Sequence, residues 1–162
     1  LEVAAIRLGG AKVGFDSVLD ANETTAYFYA AKKAGGKTGV LLIGGGSPKN
    51  FMLQTAPHVT DSIGLQVKGH DYFFQITDAR PDTGGLSGAT PQEAVSWGKV
   101  DPDRIPDAVV CYLDSTVAVP LLSCHALARH RPRPQKRLYR RRLELTEILK
   151  SDYLKYSGRT PR

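Results

Sequence analysis

The stretch Val40-Leu41-Leu42-Ile43-Gly44-Gly45-Gly46-Ser47-Pro48 constrains this chain more than any other. Four consecutive apolar residues bounded by glycines read as a strand buried on both faces, as in a parallel sheet. Ser47 as N-cap and Pro48 at the first helical position then open a helix, expected to reach about Thr55 or Ala56, where Pro57 interferes. Tyr72–Thr77 reads as a second strand, followed by a turn-rich loop from Asp78 to Ala89. Thr90-Pro91-Gln92-Glu93 is a capping box that opens a short helix through Trp97. Val109–Leu113 is a third strand, and a helix containing Pro120 follows Asp114-Ser115 to about Ala128. Strands alternating with helices give an α/β parallel sheet with helices on its faces. Three strands make a narrow sheet, expected to be completed by N-terminal strands outside this sequence or by a partner.

The flanks are simpler. Leu1–Leu8 reads as the tail of a helix that ends at Gly9-Gly10, and the chain starts without Met, as a fragment or processed chain would. Asp20 or Asn22 is expected to cap a second helix that stops at Gly35-Gly36, with Lys32 and Lys33 in its last turn. After the hinge Arg129-His130-Arg131-Pro132-Arg133-Pro134, residues Gln135 to about Tyr156 read as an amphipathic helix, with Leu138, Leu145, Leu149 and Tyr153 as buried positions. Residues 1–128 and 129–162 are therefore read as a body and a basic C-terminal segment.

At 162 residues the chain suffices for one ordinary domain, and 41% hydrophobic content excludes wholesale disorder. No apolar run reaches membrane-spanning length, so no membrane partner and a cytoplasmic location are expected. The net charge of +6 divides unevenly. Residues 1–128 hold 10 Lys/Arg against 13 Asp/Glu, and residues 129–162 hold 12 against 3. A basic helix without aromatic interleaving reads as a solvated face, so no nucleic-acid partner is expected. His58, His70, His125 and His130 show no metal-ligand spacing with Cys111 and Cys124, so no metal is expected, and both thiols read as buried and inert.

Ligands of parallel sheets sit beyond the carboxyl ends of the strands. Three segments lie there: Gly44-Gly45-Gly46-Ser47, Thr77-Asp78-Ala79-Arg80 and Asp114-Ser115. The glycines either admit a ligand to the backbone or make a tight turn, and Asp114 either accepts from a ribose or caps the next helix. Lys99 follows Trp97-Gly98. A lysine desolvated against an indole loses its proton more readily and can form an imine with a carbon electrophile. Its other reading is a solvated cation at a helix C-terminus.

Glu93-Ala94-Val95-Ser96-Trp97-Gly98-Lys99 resembles the active-site signature of the deoxyhypusine synthase family. The flanking motifs follow the family's order: the triple glycine, Thr77 ending a strand, the Gly/Asp-rich loop, the signature, then Tyr112-Leu113-Asp114-Ser115 and Val119-Pro120-Leu121-Leu122. The resemblance covers roughly residues 10–128 and corresponds to the C-terminal part of the family's domain. It implies a Rossmann-like sheet, NAD as cofactor, spermidine as substrate, and a homotetramer with active sites at a dimer interface. Lys99 would be the nucleophile that carries the aminobutyl group as an imine to an acceptor amine. Glu93 would hold a polyamine ammonium and Trp97 would pack on its methylenes. Asn50, Gln54, Asp82, Gly84, Gly85, Leu86 and Ser87 would complete the substrate site, and Gly45, Gly46, Thr77, Asp78, Asp114 and Ser115 would contact NAD. Asn50 and Gln54 stand where eukaryotic members carry His and Asn, and Leu86 replaces a second loop acid. The acceptor implied is a protein lysine; putrescine, giving homospermidine, and a non-catalytic truncated subunit are the alternatives.

Overall fold

Three strands pair in parallel in the order β1 (Gly39–Ile43), β2 (Tyr72–Thr77), β3 (Val109–Tyr112), in a computed structural model that describes residues 2–158. In register, Leu42 lies beside Gln75 and Gln75 beside Val110, while Ile43, Ile76 and Cys111 align on the opposite face. The first face is covered by α3 (Ser47–Leu53) and α6 (Pro91–Ser96), whose Leu53 and Ala94 pack with Val40, Leu42, Phe73 and Val100. On the second face Ile76 is fully buried, and α7 (Ser115–Arg129) packs against β2.

That second face is only partly covered, which corrects the expectation of a strand buried on both sides. Leu41 and Ile43 are 59% and 56% exposed. The reason is the direction of α7: Ala118 is its one buried residue, and every side chain from Leu121 onward is exposed.

A second core lies beside the sheet. It joins α2 (Ser17–Lys33), a helical turn α4 (Thr55–Pro57) that widens into a π-helical turn over His58–Ile63, and α8 (Arg142–Ser157). Ala26, Phe28, Tyr29, Ala56, Val59, Leu145 and Leu149 meet there. Burying Leu145 and Leu149 contributes roughly 1.5–3 kcal/mol each. Asp152 then fixes the orientation of α8, accepting from the Tyr29 hydroxyl at 2.7 Å and pairing with Lys33. The remaining helices are short or solvated: α1 (Glu2–Leu8) buries nothing, and α5 (Gly85–Gly88) is a single turn in the loop after β2.

Three boundaries differ from the sequence reading. Asp16, not Asp20 or Asn22, caps α2, its carboxylate accepting from the Val18 and Leu19 amides at 3.1 and 2.9 Å. Pro57 does not stop the chain of turns, because it lies in the first turn of α4, where an amide would have no partner within the helix. The C-terminal helix begins at Arg142; Leu138–Arg141 form a 3₁₀ turn with Leu138 40% exposed, so only Leu145 and Leu149 of the four candidate positions are fully buried. Cys124 is exposed and Cys111 half-buried, so neither is a core thiol. Among the described residues no helix is long and apolar enough to cross a membrane, and no three His, Cys, Asp or Glu are placed to hold a metal.

The two cores meet at His70 and Asp71. Lys32 donates to Asp71 at 2.6 Å and the Thr38 amide at 2.8 Å; burial pushes this carboxyl up, and those bonds more than offset it. His70 packs on Phe28 with ring centroids 4.7 Å apart. The Thr55 hydroxyl donates to the Met52 carbonyl at 2.8 Å, so its oxygen accepts from His70 Nε2 at 3.2 Å. That leaves His70 Nδ1 a buried acceptor without a partner.

Burial pushes the His70 pKa down to about 4, with the Lys32 charge adding to the effect. Between this value and the unfolded value near 6.5 the unfolded chain binds more protons, so stability falls as pH falls. The contribution is complete above pH ~6.5 and is lost by pH ~4, at about 3 kcal/mol in total. Urea midpoints across that window should decline for the native chain and decline far less for His70→Gln; parallel declines would exclude His70 as the cause.

Candidate active site

The triple-glycine turn places α3 over the carboxyl end of β1. Gly45 approaches the next loop so closely that a Cβ there would lie 2.6 Å from the Ser87 Cα. The turn therefore serves backbone packing at Gly45 itself. The loop is held from beneath by Gln75, the one side chain of β2 able to make three polar contacts there. Its Nε2 donates to the carbonyls of Gly44 and Ser87 at 2.8 and 2.9 Å, and its Oε1 accepts from Lys49 Nζ at 3.0 Å. Lys49 also donates to the Ala89 carbonyl at 2.7 Å and points at the Ser87 carbonyl at 3.5 Å.

Lys49 is thus a buried ammonium, 4% exposed, surrounded by neutral acceptors. Burial pushes its pKa below the usual lysine range; Glu93 opposes this and the Lys99 charge reinforces it. Sequence reasoning passed over both Lys49 and Gln75. The available signal was a lone amide inside the apolar run Tyr72–Thr77, facing the side on which a lysine follows Ser47-Pro48.

Next to Lys49 on α3, Asn50 turns to the other side and accepts from Lys99 Nζ at 2.6 Å. Lys99 reaches it because Gly98, at φ 68°, reverses the chain after α6, with the Lys99 amide closing on the Ala94 carbonyl at 2.9 Å. Buried Val100 then pins the backbone through its bridge to His70. Lys99 Nζ lies 5.7 Å from the Trp97 ring centroid, but that indole is 65% exposed. In this chain the principal polar partner of Lys99 is an amide oxygen, and the indole borders the amine without enclosing it.

Glu93 is released from half of its expected capping role. The Thr90 hydroxyl accepts from the Glu93 amide at 3.2 Å, while among the described residues the Glu93 carboxylate makes no bond in return. It remains free at the rim of a cavity of about 330 Å³ that Lys99, Asn50, Gln54, Leu86 and Trp97 also line, with Lys49, Leu53, Ala89, Thr90 and Ala94. Six residues of the sequence-derived set therefore converge on one cavity.

The others lie elsewhere. Gly84, Gly85 and Ser87 belong to the loop and do not line the cavity, although Ser87 supports its wall through Gln75. Asp82 pairs with Arg80 at 3.2 Å and lines a separate open crevice of about 580 Å³ with Pro81 and Tyr112, off the ends of β2 and β3. Thr77 is buried and its hydroxyl accepts from the Ala79 amide at 3.1 Å. Asp114 caps α7, holding the Thr116 amide at 2.7 Å, and Ser115 opens that helix; Asp78 is exposed. Gly46 is the left-handed residue preceding α3.

A family model for deoxyhypusine synthase matches residues 3–126. The chain belongs to the deoxyhypusine synthase family. It is 59% identical over 157 residues to a deoxyhypusine synthase-like protein of Thermosynechococcus vestitus, covering 95% of this chain and 39% of that protein. It is 55% identical over 154 residues to a deoxyhypusine synthase-like protein of Nostoc, covering 95% of this chain and 40% of that protein. A probable deoxyhypusine synthase 2 of the archaeon Methanosarcina acetivorans is 40% identical over 121 residues, 75% of this chain and 33% of that protein. The chain thus spans about 40% of the length of its cyanobacterial relatives.

Lys49→Met keeps the volume but strands the Gln75 and Ala89 oxygens, at a cost of about 1–3 kcal/mol. A lowered urea midpoint together with faster proteolysis at Gly84-Gly85 is the expected pair of results. An unchanged loop cleavage rate would show that Lys49 does not hold this wall.

Proposed function

We propose that the cavity is the amine-handling part of an NAD-dependent aminobutyltransferase, with Lys99 as nucleophile. The observation that supports this most directly is the seating of Lys99 Nζ: held by Asn50, bordered by Trp97, and sharing its cavity with the unpaired carboxylate of Glu93. A carboxylate not used for capping is free to hold an ammonium, and an exposed indole presents a face to methylenes and cations. Lys99 donates to Asn50 through one hydrogen, which orients the nitrogen without consuming a carboxylate partner.

The donor set near the strand ends suits a dinucleotide: exposed Asp78 as an acceptor for ribose hydroxyls, and the crevice walled by Tyr112 and Arg80 for a planar or anionic portion. When bound, NAD supplies a hydride acceptor for the amine and later returns the hydride. The protein's steps lie between those events. Lys99 Nζ adds to the imine carbon of the oxidised spermidine, and the bond from that carbon to the departing nitrogen breaks. 1,3-Diaminopropane leaves, taking the proton that Lys99 gives up, and the four-carbon amine stays on Lys99 as an imine. An acceptor amine then repeats the exchange in reverse, regenerating free Lys99. Glu93 keeps the distal ammonium in place throughout. The acceptor in this reading is a protein lysine; Leu86 on the cavity wall, where a second acid would stand, favours putrescine as the competing acceptor because it lessens the hold on a longer cation.

Borohydride trapping after incubation with spermidine and NAD should place one aminobutyl group on Lys99, read by peptide mass spectrometry, and Lys99→Arg should carry none. Label on a different lysine, or equal label in the variant, would remove Lys99 from the reaction. Product analysis with and without putrescine separates homospermidine from a modified protein lysine. Leu86→Asp should improve spermidine binding several-fold through one added charge contact, seen as a lower concentration for half-maximal trapping. An unchanged concentration would show that this wall does not read charge.

A further inference from the structure

Residues 129–141 carry Arg129, Arg131, Arg133, Lys136, Arg137, Arg140 and Arg141 and no acid, and every residue among them is exposed. The sequence reading divides this charge between a hinge over residues 129–134 and the solvated face of a helix from Gln135. Instead the charge lies outside the helix: α8 from Arg142 to Ser157 is balanced, with three basic and three acidic residues, and spends its apolar face on the second core. The basic residues before it form an arm between α7 and α8 that has no regular secondary structure over residues 130–137 and closes in the 3₁₀ turn.

Among the described residues most of the arm's charge is unpaired. Arg141 pairs with Glu144 at 2.6 Å, but among the described residues the other six make no ion pair and no side-chain hydrogen bond, although the body carries more acid than base. We propose that this arm is a docking site for the phosphate backbone of a nucleic acid, read through charge and not through sequence.

Three features favour that partner. Arginine predominates, and its guanidinium fork matches phosphate oxygens in pairs. A protein partner would require an apolar anchor, whereas Leu138 and Tyr139 are the arm's only large apolar groups. Tyr139 is 70% exposed with the Arg142 guanidinium 4.7 Å from its ring, an arrangement suited to one stacked base. A membrane surface would call for an unburied amphipathic face, and that of α8 is buried. Pro132 and Pro134 restrict the arm's backbone, which reduces the ordering cost of binding. The matches to the cyanobacterial relatives, at 95% of the chain, run through the arm, whereas the family model stops at residue 126. The arm therefore lies outside the part of the chain that carries Lys99.

The test is fluorescence anisotropy of a labelled mixed-sequence single-stranded RNA of 20 nucleotides against the full chain at several salt concentrations. Six free cations predict a log–log salt slope of about −4, or a loss of roughly 300-fold between 50 and 200 mM salt. Arg131→Ala/Arg133→Ala should make the slope shallower by about 1.4. Lys150→Ala/Lys155→Ala, which removes the same charge from α8, should leave it unchanged. No binding at 50 mM salt, or equal losses from the two double variants, would overturn the arm as a specific site. Displacement of the RNA by polyglutamate at equal charge would assign the arm to an acidic protein, and retention on phosphatidylserine vesicles despite excess RNA would assign it to a membrane; either result overturns the proposal.

Discussion

The buried ammonium of Lys49 is the interaction on which the site's geometry depends. Its acceptors are Gln75 from β2 and the loop carbonyls of Ala89 and Ser87, and Gln75 in turn binds the carbonyl that ends β1. Four segments distant in sequence thus share one polar knot beneath the cavity. An amine in that place needs every proton satisfied, because a stranded charge or acceptor in a buried wall is costly. The knot also sets the rotation of α3. With Lys49 directed into the wall, Asn50 one residue on is turned toward the cavity, where its Oδ1 accepts from Lys99 Nζ. The position of the candidate nucleophile therefore follows from a cation that does not face the substrate.

The same logic separates chemical from structural roles among the polar residues near the strand ends. Asp114 and Thr77 have their oxygens occupied by nearby amides, and Gly45 has the space above it filled by Ser87. These groups shape the backbone at the mouth of the sheet. Glu93, Asn50 and Lys99 differ in kind: one carboxylate without a bond and one amine with an amide partner share a single cavity. A free carboxylate beside an amine held by an amide is a poor arrangement for stability and a useful one for holding a cation.

How much of this was legible in the sequence depended on whether the signal was local. The strands were readable because short apolar runs ended in glycine or in acid and serine, and the Glu93–Lys99 signature was readable as a linear string. The cap of α2 was misplaced because Asp16 and Asp20 stand one turn apart, and only the backbone decides which carboxylate meets the free amides. Leu41 and Ile43 looked buried because an apolar run cannot report which neighbours arrive to cover it. Gln75 and Lys49 were invisible as a pair, since 26 residues separate them and neither disturbs the local pattern. The start of α8 was drawn too early because Leu138 stands at helical spacing from Leu145 and extends the apolar pattern back toward Gln135, until Leu138 is seen to be exposed.

The charge balance of the cavity carries one more step. Its walls hold two lysines and one carboxylate, which would repel a polyamine if all three charges faced the interior. Lys49 does not face it: three neutral oxygens surround that ammonium, and burial weakens its hold on the proton. What remains in the open part of the cavity is Lys99 and Glu93, in the proposed reading a nucleophile and a single anchor. One anchor holds one end of a cation. Discrimination between a diamine and a triamine requires a second, and the wall position at Leu86 supplies none. In the proposed reading, selectivity for a longer amine would need a second carboxylate at the cavity, which the 157 described residues do not bring there, while Asn50 already fixes the position of the Lys99 amine.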